Sequence, residues 1–396
     1  MDLLKDIIVV DFCQFLSGPS ASLRLADFGA TVIKIEKPGS GDICRELYVS
    51  DVVIDGDSSI FHAINRNKKS YVADLKNNED AIKIKKLITH ADVVMHNFRP
   101  GVMERLGFSY KDVKKINPSV IYASVSGYGE EGEWRNLPGQ DLLLQSLSGL
   151  SWLNNSNNEN PTPMGVAVID ILSGAHMAQG ILSLLYQRAI TGEGGCISVS
   201  MFESSLDFQF EVLTSYYNDG NELPQRSSIN SGHAYVGAPY GIYKTTDGYL
   251  ALAMADIVKL GGLLSCEELN NYPDSTDWYE KRDEIKMFIA DCLLLESTAH
   301  WLSILEPAGI WCSNVYNYDN LRDEEGYKAL NMEIVITNSN GVSVTTTRSP
   351  FRVDGEVISN RVGAPLLGEH NKEIDEKYSL AKKVSNNIAI TMQPES

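Results

Sequence analysis

Short apolar runs alternate with longer amphipathic stretches in the first half of the chain. Residues 7–12 are almost all apolar and β-branched, which is typical of a strand buried on both faces of a parallel sheet. A Gly-Pro pair then opens a helical pattern over residues 19–28, and Gly29 follows its end. Residues 31–35 predict a second strand. These elements form a βαβ unit, whose two strands we expect to be parallel neighbours.

The same alternation continues to about residue 216. Strands are predicted at 70–75, 92–95, 120–125 and 196–200, and helices at 79–90, 170–189 and 203–216. Long helices between buried strands favour an α/β domain with a doubly wound, Rossmann-like parallel sheet.

After residue 220 the pattern changes to that of an α+β domain. Asp247-Gly248 lies between apolar runs at 241–245 and 249–254, which is a hairpin signal. Helical patterns follow at 283–295 and 297–305. We expect this smaller domain to extend from about residue 225 to about residue 325.

The composition narrows the class of protein. The 396 residues allow roughly two or three domains, and the formal net charge of −18 disfavours an extended nucleic-acid surface. The six cysteines are scattered without zinc-binding spacing, which predicts reduced, mostly buried thiols and no metal site. We find no apolar run of membrane-spanning length and no signal segment, so we expect a cytoplasmic protein without membrane contact.

A dinucleotide site is a tempting interpretation of the first βαβ unit, because Glu36 ends the second strand where a ribose-binding acid would lie. The turn FCQFLSGPSAS has only Gly18 before Pro19. It therefore lacks the glycines of G-x-G-x-x-G that let a pyrophosphate approach the backbone. We do not expect NAD binding.

Basic residues gather near the predicted carboxyl ends of strands despite the acidic total. They are Lys37, Arg66, Lys68, Lys69, Lys76, Arg99 and Arg105. Phosphate-bearing ligands bind at this edge of an open α/β sheet, so the group indicates a phosphate site. The alternative is solvated surface charge, which is the common state of any single lysine.

Asp170 ends the apolar stretch GVAVID and immediately precedes the long predicted helix. At that position a carboxylate is an ordinary N-cap, and the helix dipole keeps it ionised. A carboxylate can equally attack an activated acyl carbon and form an acyl-carboxylate anhydride. The pattern alone leaves both roles open. His176, two turns further along, is interpreted as helix packing, and we find no Ser/His/Asp motif.

Ordered segments along nearly the whole chain resemble the class III coenzyme A transferases of the CaiB/BaiF type. They are VVDFCQFLSGPSASLRLADFGATVIKIEKPGSGD, NRNKKSYVADLK, HNFRPGVMERLGF, INPSVIYASVSGYG, NLPGQDLLLQSLSGL, GVAVIDILSGAHMAQGILSLLYQRAITGEGG and GAPLLGEHNKEI. The resemblance implies an interlinked homodimer in which each chain threads through a hole in the other. It also implies a large Rossmann-like CoA-binding domain at 1–200, a linker at 201–225, a small α+β domain at 226–325, a second linker at 326–345, and a C-terminal segment at 346–396 that returns to the large domain.

Asp170 matches the catalytic aspartate of that family. The resemblance implies that Asp170 attacks an acyl-CoA thioester, that CoA thiolate leaves, and that an acceptor carboxylate enters before a second acyl transfer gives the new thioester. Main-chain N–H groups of Leu16 and Ser17 match the oxyanion donors. Leu16 replaces a frequent glutamine, so a main-chain donor is kept and a side-chain donor is lost.

The coenzyme A contacts of the family match a further set of residues. They are Lys37, Ala73, Leu75, Lys76, Asn97, Phe98, Arg99, Arg105, Gly139 and Gln140. Cations suit the 3′-phosphate and diphosphate of coenzyme A. The substrates are then acyl-CoA and a small carboxylic acid, with no metal and no permanently bound cofactor.

Two alternatives stay open. The α-methylacyl-CoA racemases share this fold and remove an α-proton with the histidine of a GHD motif, but Gln140 in Gly139-Gln140-Asp141 cannot be a general base. A racemase or epimerase is therefore a weaker hypothesis than a CoA-transferase. The other alternative is a non-catalytic acyl-CoA binding protein. The glycine-rich loop of formyl-CoA:oxalate transferases is not evident in SGHAYVGAPYG, and the sequence does not identify the exchanged acids.

Overall fold

The computed structural model describes residues 2–47, 52–358 and 360–380. The chain divides into two compact units. The first comprises Met1–Gly139, Asp170–Met201 and Met332–Ser396, and the second comprises Gln140–Ile169 and Phe202–Asn331. The domain and linker boundaries that the sequence suggests stay a prediction.

Strands and helices follow one another along the whole described chain. The strands are β1 (Ile8–Asp11), β2 (Thr31–Glu36), β3 (Val53–Ile54), β4 (Asp57–Ser58), β5 (Lys69–Val72), β6 (Val93–His96), β7 (Ile121–Ser126), β8 (Gly195–Ser200), β9 (Gly241–Lys244), β10 (Tyr249–Leu252), β11 (Cys312–Asn314), β12 (Glu333–Thr337), β13 (Ser343–Thr347), β14 (Arg352–Val353) and β15 (Glu356–Val357). The α-helices are α1 (Ser17–Asp27), α2 (Ser59–Asn65), α3 (Asn78–Ile88), α4 (Val102–Leu106), α5 (Tyr110–Ile116), α6 (Asp141–Leu147), α7 (Leu150–Leu153), α8 (Val168–Thr191), α9 (Met201–Phe208), α10 (Phe210–Asn218), α11 (Ile257–Leu264), α12 (Asp277–Glu280), α13 (Arg282–Leu293), α14 (Thr298–Leu305), α15 (Tyr318–Asp323), α16 (Glu325–Leu330) and α17 (Asn371–Lys377).

A six-stranded sheet in the order β5-β2-β1-β6-β7-β8 forms the centre of the first unit. Every neighbouring pair in it is parallel. The chain order therefore reverses between β1 and β6, and open α/β sheets bind ligands at the carboxyl ends of the strands beside such a reversal. The predicted α/β class with a Rossmann-like parallel sheet is confirmed.

The local predictions hold with one exception. β1 and β2 are parallel neighbours, and β9 and β10 form the predicted antiparallel hairpin. The helix predicted at 203–216 is instead divided at Gln209 into α9 and α10. The side-chain amide of Gln209 donates to the Ser205 carbonyl at 2.8 Å, which is the acceptor that the Gln209 N–H would use in a continuous helix.

Apolar side chains cover the sheet on the face that carries α3, α5 and α17. Val10, Phe12, Ile33, Tyr71 and Val94 form the centre of this core, and each is fully or almost fully buried. Strands buried in this way read as continuous apolar runs rather than alternating ones. This burial explains why the sequence pattern located the strands of the first unit closely.

The second unit has its own core. The antiparallel sheet β11-β10-β9 packs Tyr243 and Leu250 against α11, α13 and α14, where Leu260, Ile285 and Leu305 are fully buried. α13 and α14 meet at 113°. A separate apolar core allows this unit to be stable as a compact body.

Helix α8 is long and apolar enough, by length and composition alone, to cross a membrane. The expectation that no segment reaches that length is therefore wrong for α8. The helix nevertheless contacts other elements of the first unit at two glycines: Gly174 faces the start of α1, and Gly180 faces Ile197 of β8. The apolar length of α8 serves packing within the first unit at these positions.

Glu36 and Arg45 join four segments of the first unit. Arg45 donates to the buried Glu36 carboxylate through Nε and Nη2, both at 2.8 Å, and Ser70 of β5 donates to it at 2.6 Å. Burial opposes ionisation of Glu36, but Arg45 outweighs it and holds the pKa of the carboxyl below its usual range. Arg45 also donates to the Pro365 carbonyl at 3.1 Å, which ties the C-terminal segment to β2. Glu36 is therefore not available to a ribose.

The C-terminal segment also covers the outer edge of β5. The Val72 N–H donates to Asn371 Oδ1 at 2.8 Å, and Asn371 Nδ2 donates to the Val72 carbonyl at 3.1 Å. The His370 N–H donates to the Ser70 carbonyl at 3.1 Å. The Asn371 side chain thus pairs with β5 as a neighbouring strand would, and the edge is closed to other chains.

We expect Arg45→Met to lower the free energy of unfolding by about 3–5 kcal/mol, because it leaves the buried Glu36 carboxylate without its cation. Denaturant unfolding followed by circular dichroism measures this. The matched control is Arg188→Met, which breaks the partly exposed pair with Asp92 (2.7 Å) and should cost about 1 kcal/mol or less. Equal losses in the two variants would contradict the role given to Arg45.

Candidate active site

The predicted site residues of the first unit gather at the carboxyl edge of its sheet. Lys37 follows β2, Ala73 to Lys76 follow β5, and Asn97 to Arg99 follow β6. Asn97 lies at the order reversal and joins two loops: its Oδ1 accepts from the Gln14 N–H at 2.8 Å, and its Nδ2 donates to the Gln14 carbonyl at 2.7 Å. The Asn97 side chain is therefore engaged in holding the loop after β1.

The β1–α1 segment (residues 12–20) turns the chain from β1 into α1. Phe15 has a φ of 62°, and Leu16 is the N-cap of α1, with no side chain capping that helix. In the described part of the chain, the N–H groups of Leu16, Ser17 and Gly18 have no acceptor. Unpaired donors at a helix start bind negative oxygen atoms. This is the chemistry that the family resemblance implies for Leu16 and Ser17.

Helix α8 approaches α1 most closely at Gly174. A Cβ atom at this position would lie 2.0 Å from Ser20 Oγ and 2.6 Å from the Ser17 carbonyl oxygen. Asp170 precedes Gly174 by four residues, so both lie on one face of α8, about 6 Å apart along its axis. The helix face that meets the start of α1 therefore carries the Asp170 side chain.

Asp170 is not the N-cap of its helix. α8 begins at Val168, so Asp170 is its third residue. The Ile169 N–H donates to the Asp141 carboxylate at 2.7 Å, and Gln145 donates to the other Asp141 oxygen. Asp141 thus supplies the capping carboxylate from a distant part of the sequence. The Ile169 amide therefore has a capping acceptor that lies outside the helix.

A buried charged cluster underlies the β1–α1 segment, and we define it as Asp11, Lys34, Asp42 and Lys68. Lys34 lies 2.6 Å from Asp42, and Lys68 lies 3.7 Å from Asp11. The Phe15 N–H donates to Asp42 Oδ1 at 3.2 Å. Two cations and two anions balance within the cluster, as burial of charge requires.

Exposed cations border the same edge of the sheet. Lys37, Lys76, Arg99 and Arg105 are all exposed, and none has a carboxylate within 4 Å in the described residues. Cations without internal partners beside strand ends are free to bind phosphate oxygens. The phosphate site at these four residues stays a prediction.

Three other cations of the predicted group do not belong to that surface. Arg66 is buried and pairs with Asp27, Lys68 is buried in the cluster, and Lys69 pairs with Glu373. The expectation that these residues contribute to a phosphate site is therefore wrong. These cations of the NRNKKS segment have structural contacts instead: Arg66 and Lys68 bind residues of α1, and Lys69 binds a residue of α17.

Three other residues predicted to contact coenzyme A, which are Ala73, Leu75 and Phe98, pack at least partly against the protein interior. The Ala73 side chain is buried in the core and its N–H donates to the Glu36 carbonyl at 2.9 Å, while Leu75 packs against that core. Phe98 stacks on His96 with 6.2 Å between ring centroids. Burial lowers the pKa of His96 to about 4, so this imidazole is neutral at physiological pH.

Gly139 and Gln140 precede α6. A Cβ atom at Gly139 would lie 2.6 Å from the Gly127 Cα, directly after β7, so both positions require glycine. Gln140 is exposed and is the N-cap of α6. Gly139 therefore lies at the carboxyl edge of the sheet together with the loops that follow β1 and β6.

The cysteines and histidines offer no other centre in the described residues. Cys13, Cys44 and Cys266 are buried free thiols, whereas Cys196 is exposed, and Cys292 and Cys312 are half-buried. Only half of the thiols are thus buried, fewer than expected. Within the described ranges, no three His, Cys, Asp or Glu side chains are placed to hold a metal ion.

Sequence reasoning missed Lys34, Gly174 and Asp141. A signal for Lys34 was present, since a lysine inside the apolar run TVIKI must find a partner inside the protein. A glycine in a helix interior signals close packing, but its partner on α1 is distant in sequence. Asp141 caps a helix from a distance that no local pattern contains.

The comparisons with known proteins agree along the whole chain. The family described as CoA-transferase family III matches residues 4–371. Acetyl-CoA:oxalate CoA-transferase of Acetobacter aceti is 32% identical over 94% of this chain and 95% of its own. Succinyl-CoA:mesaconate CoA-transferase of Haloarcula hispanica is 30% identical over 94% of this chain and 96% of its own. Succinyl-CoA:glutarate CoA-transferase of Mus musculus is 28% identical over 94% of this chain and 86% of its own.

Solved structures give the same relation. A CAIB/BAIF family protein from Brucella suis superposes with a TM-score of 0.81 at 27% identity, covering 94% of this chain and 98% of that one. Rv3272 from M. tuberculosis superposes with a TM-score of 0.80 at 25% identity, covering 94% of this chain and 98% of that one. The fold and the sequence thus lead to one family.

We expect Gly174→Ala to lower kcat for the reaction at this site and to cost about 1–3 kcal/mol of stability, because the new Cβ meets the Ser17 carbonyl and pushes α8 away from α1. Steady-state kinetics and denaturant unfolding measure the two effects.

The control for this prediction is Gly180→Ala on the same helix. There the new Cβ meets only the tip of the flexible Ile197 side chain at 2.0 Å. Alanine also favours the helix by about 1 kcal/mol over glycine, so stability should hardly change. Unchanged kinetics in Gly174→Ala would show that the contact of α8 with α1 does not position the site.

Proposed function

The chain belongs to CoA-transferase family III, and from this membership we propose that it moves coenzyme A from an acyl-CoA donor to a free carboxylic acid through a mixed anhydride on Asp170. CoA thioesters are the substrates of this enzyme class. The activity as a family III CoA-transferase follows from the family. The anhydride on Asp170, the residues in contact with CoA and the exchanged acids are the parts we propose.

One observation carries the assignment of Asp170. Its helix face meets the start of α1 at Gly174, where the Leu16 and Ser17 N–H groups have no acceptor among the described residues. A carboxylate on the helix face that meets these N–H donors is suited to attack a carbonyl carbon whose oxygen the donors then stabilise. This combination supports nucleophilic catalysis.

The first step forms one bond and breaks one. An Asp170 oxygen attacks the thioester carbonyl carbon, and the carbonyl oxygen becomes an oxyanion that the Leu16 and Ser17 N–H groups bind. The carbon–sulfur bond then breaks, the electron pair leaves with CoA thiolate, and the acyl group stays on Asp170 as an anhydride. The carboxylate charge has moved to sulfur, so no proton is required.

The remaining steps reverse this exchange on the second acid. The donor acid leaves the aspartyl carbonyl carbon and the acceptor carboxylate takes its place, directly or after the thiolate has occupied that carbon. The thiolate finally attacks the acyl carbon of the acceptor, which releases the new thioester and restores Asp170. Because no proton is gained or lost, a glutamine at Gln140 is compatible with transfer and not with proton abstraction.

The exposed cations support the binding of coenzyme A. Lys37, Lys76, Arg99 and Arg105 border the sheet edge and have no carboxylate partner among the described residues. We assign them to the 3′-phosphate and diphosphate of coenzyme A. The named relatives act on oxalate, mesaconate and glutarate, which supports a small carboxylic acid as acceptor.

The surface of α8 supports a homodimer. Only 33% of its most apolar stretch is buried within one chain, and Tyr186 and Ile190 are 72% and 68% exposed. Apolar surface of this extent on one helix favours a protein partner. We propose an interlinked homodimer, and we propose a cytoplasmic location for it.

We expect Asp170→Asn to abolish CoA transfer while folding is kept, because the amide cannot form the anhydride. The assay mixes acyl-CoA donors with a panel of free acids and identifies the new thioesters by mass spectrometry. Asp112→Asn is the matched control, since Asp112 is also the third residue of its helix.

Asp112→Asn should transfer CoA at the wild-type rate. Turnover by Asp170→Asn at the wild-type rate would remove the anhydride from the mechanism. If wild-type protein forms no new thioester with any acid in the panel, the result contradicts CoA transfer and favours the alternative of a non-catalytic acyl-CoA binding protein.

We expect the wild-type protein to have a mass of about 87 kDa in solution, twice the 43.7 kDa of one chain. Light scattering coupled to size exclusion measures it. Ile190→Glu places a charge on the exposed apolar face of α8 and should shift the mass towards one chain, whereas Thr89→Glu on a solvated helix end should not. A wild-type mass of one chain would contradict the dimer.

A further inference from the structure

Two lysines of the buried charged cluster lie beneath the β1–α1 segment, and the steps above do not use them. The side chains of Lys34 and Lys68 are both 0% exposed. A lysine is almost never buried so completely unless it is paired, and paired burial still costs free energy. What the two ammonium groups contact inside the protein is therefore of interest.

Lys34 holds one end of the segment. Its Nζ donates to the Cys13 carbonyl at 2.7 Å, and the Gln14 N–H of the same peptide donates to Asn97. A peptide is planar, so contacts on its oxygen and on its nitrogen fix its orientation. Burial disfavours the charge of Lys34, but Asp42 and Asp11 outweigh this and raise its pKa above the usual range. Lys34 is charged throughout the physiological range.

Lys68 holds the other end. Its Nζ donates to the Pro19 carbonyl at 2.9 Å and to Asn65 Oδ1 at 2.9 Å. The N–H of that same peptide belongs to Ser20 and donates to the Leu16 carbonyl at 2.8 Å. This second peptide plane is therefore fixed in the same way as the first.

The donors for the oxyanion lie between these two fixed peptides. The N–H groups of Leu16, Ser17 and Gly18 are the ones without an acceptor in the described residues. A donor that must stabilise a transition state has to be oriented before the charge develops, and a displacement of about 1 Å can cost about a hundredfold in rate.

We propose that Lys34 and Lys68 are positioning residues for acyl transfer: by holding the Cys13 and Pro19 carbonyls they orient the Leu16 and Ser17 N–H groups towards the acyl oxygen. This inference rests on the proposed function. Lys34 and Lys68 touch no reacting atom, and their effect on the reaction is transmitted through the main chain.

The test replaces Lys68 with Met, which keeps the length and removes the cation and its donors. Using the acyl-CoA and acid that wild-type protein turns over fastest, we expect kcat to fall about a hundredfold and the KM for acyl-CoA to change less than twofold. Lys68→Arg keeps a cation with a different reach and should lower kcat about tenfold.

Lys286→Met is the matched control. Lys286 of the second unit is also a buried lysine that donates to a main-chain carbonyl, that of Asn230, and to a side chain, that of Ser227. Burial lowers the pKa of both Lys68 and Lys286 to about 8. The control should lose comparable stability and keep kcat, which separates positioning from a general loss of stability.

The pH profile gives a second readout. Asp11 of β1, Cys13 of the segment, Lys34 of β2 and Asp42 face Lys68, and burial outweighs the attraction of the two carboxylates. The Lys68 ammonium therefore loses its proton as the pH rises through about 8. The neutral amine loses its ion pair with Asp11 and donates weaker hydrogen bonds to the Pro19 carbonyl and Asn65, so we expect wild-type kcat to fall above that pH. Lys68→Met should lack this decline.

Each outcome decides the inference. Wild-type protein is measured first, and absence of transfer there overturns the proposed function together with this inference. Transfer by wild-type protein with an undiminished kcat in Lys68→Met overturns only the inference, as does an equal loss in Lys286→Met. If Lys68→Met does not fold, a wild-type kcat in Lys68→Arg overturns the inference, and a lowered kcat with unchanged KM supports it.

Discussion

A charge buried in a protein must find its partners inside the protein, and in the first unit main-chain carbonyls are among those partners. Lys34 and Lys68 are neutralised by Asp42 and Asp11, and their remaining donors take the Cys13 and Pro19 carbonyls. The carbonyls of the β1–α1 segment are consumed on its inner side. Among the described residues, the N–H groups of Leu16, Ser17 and Gly18 have no acceptor, so the oxyanion site that we propose depends on the same arrangement that buries the charges.

The parallel sheet determines where that arrangement lies. The order reversal between β1 and β6 leaves space at their carboxyl ends, and Asn97 joins the two loops there. Helix α8 brings Asp170 to the same place because Gly174 permits close contact with α1. Exposed cations follow the neighbouring strands at this edge, which is where open α/β sheets bind their ligands.

The sequence predicts elements well wherever burial produces a local pattern, and it predicts long-range contacts poorly. β1, β2 and the β9–β10 hairpin were expected because their apolar runs and turn residues are contiguous. The ion pair of Arg66 with Asp27 and the capping of α8 by Asp141 join residues far apart, so NRNKKS was assigned to a phosphate surface and the cap was missed.

The covering of β5 has a consequence for how the chain is made. β5 is complete at Val72, but Asn371, which closes its outer edge, is synthesised 299 residues later. At about 5–20 residues per second, the ribosome needs roughly 15–60 s to supply it. During that interval the outer edge of β5 lacks its Asn371 cover and is open to pairing with a strand of a neighbouring nascent chain.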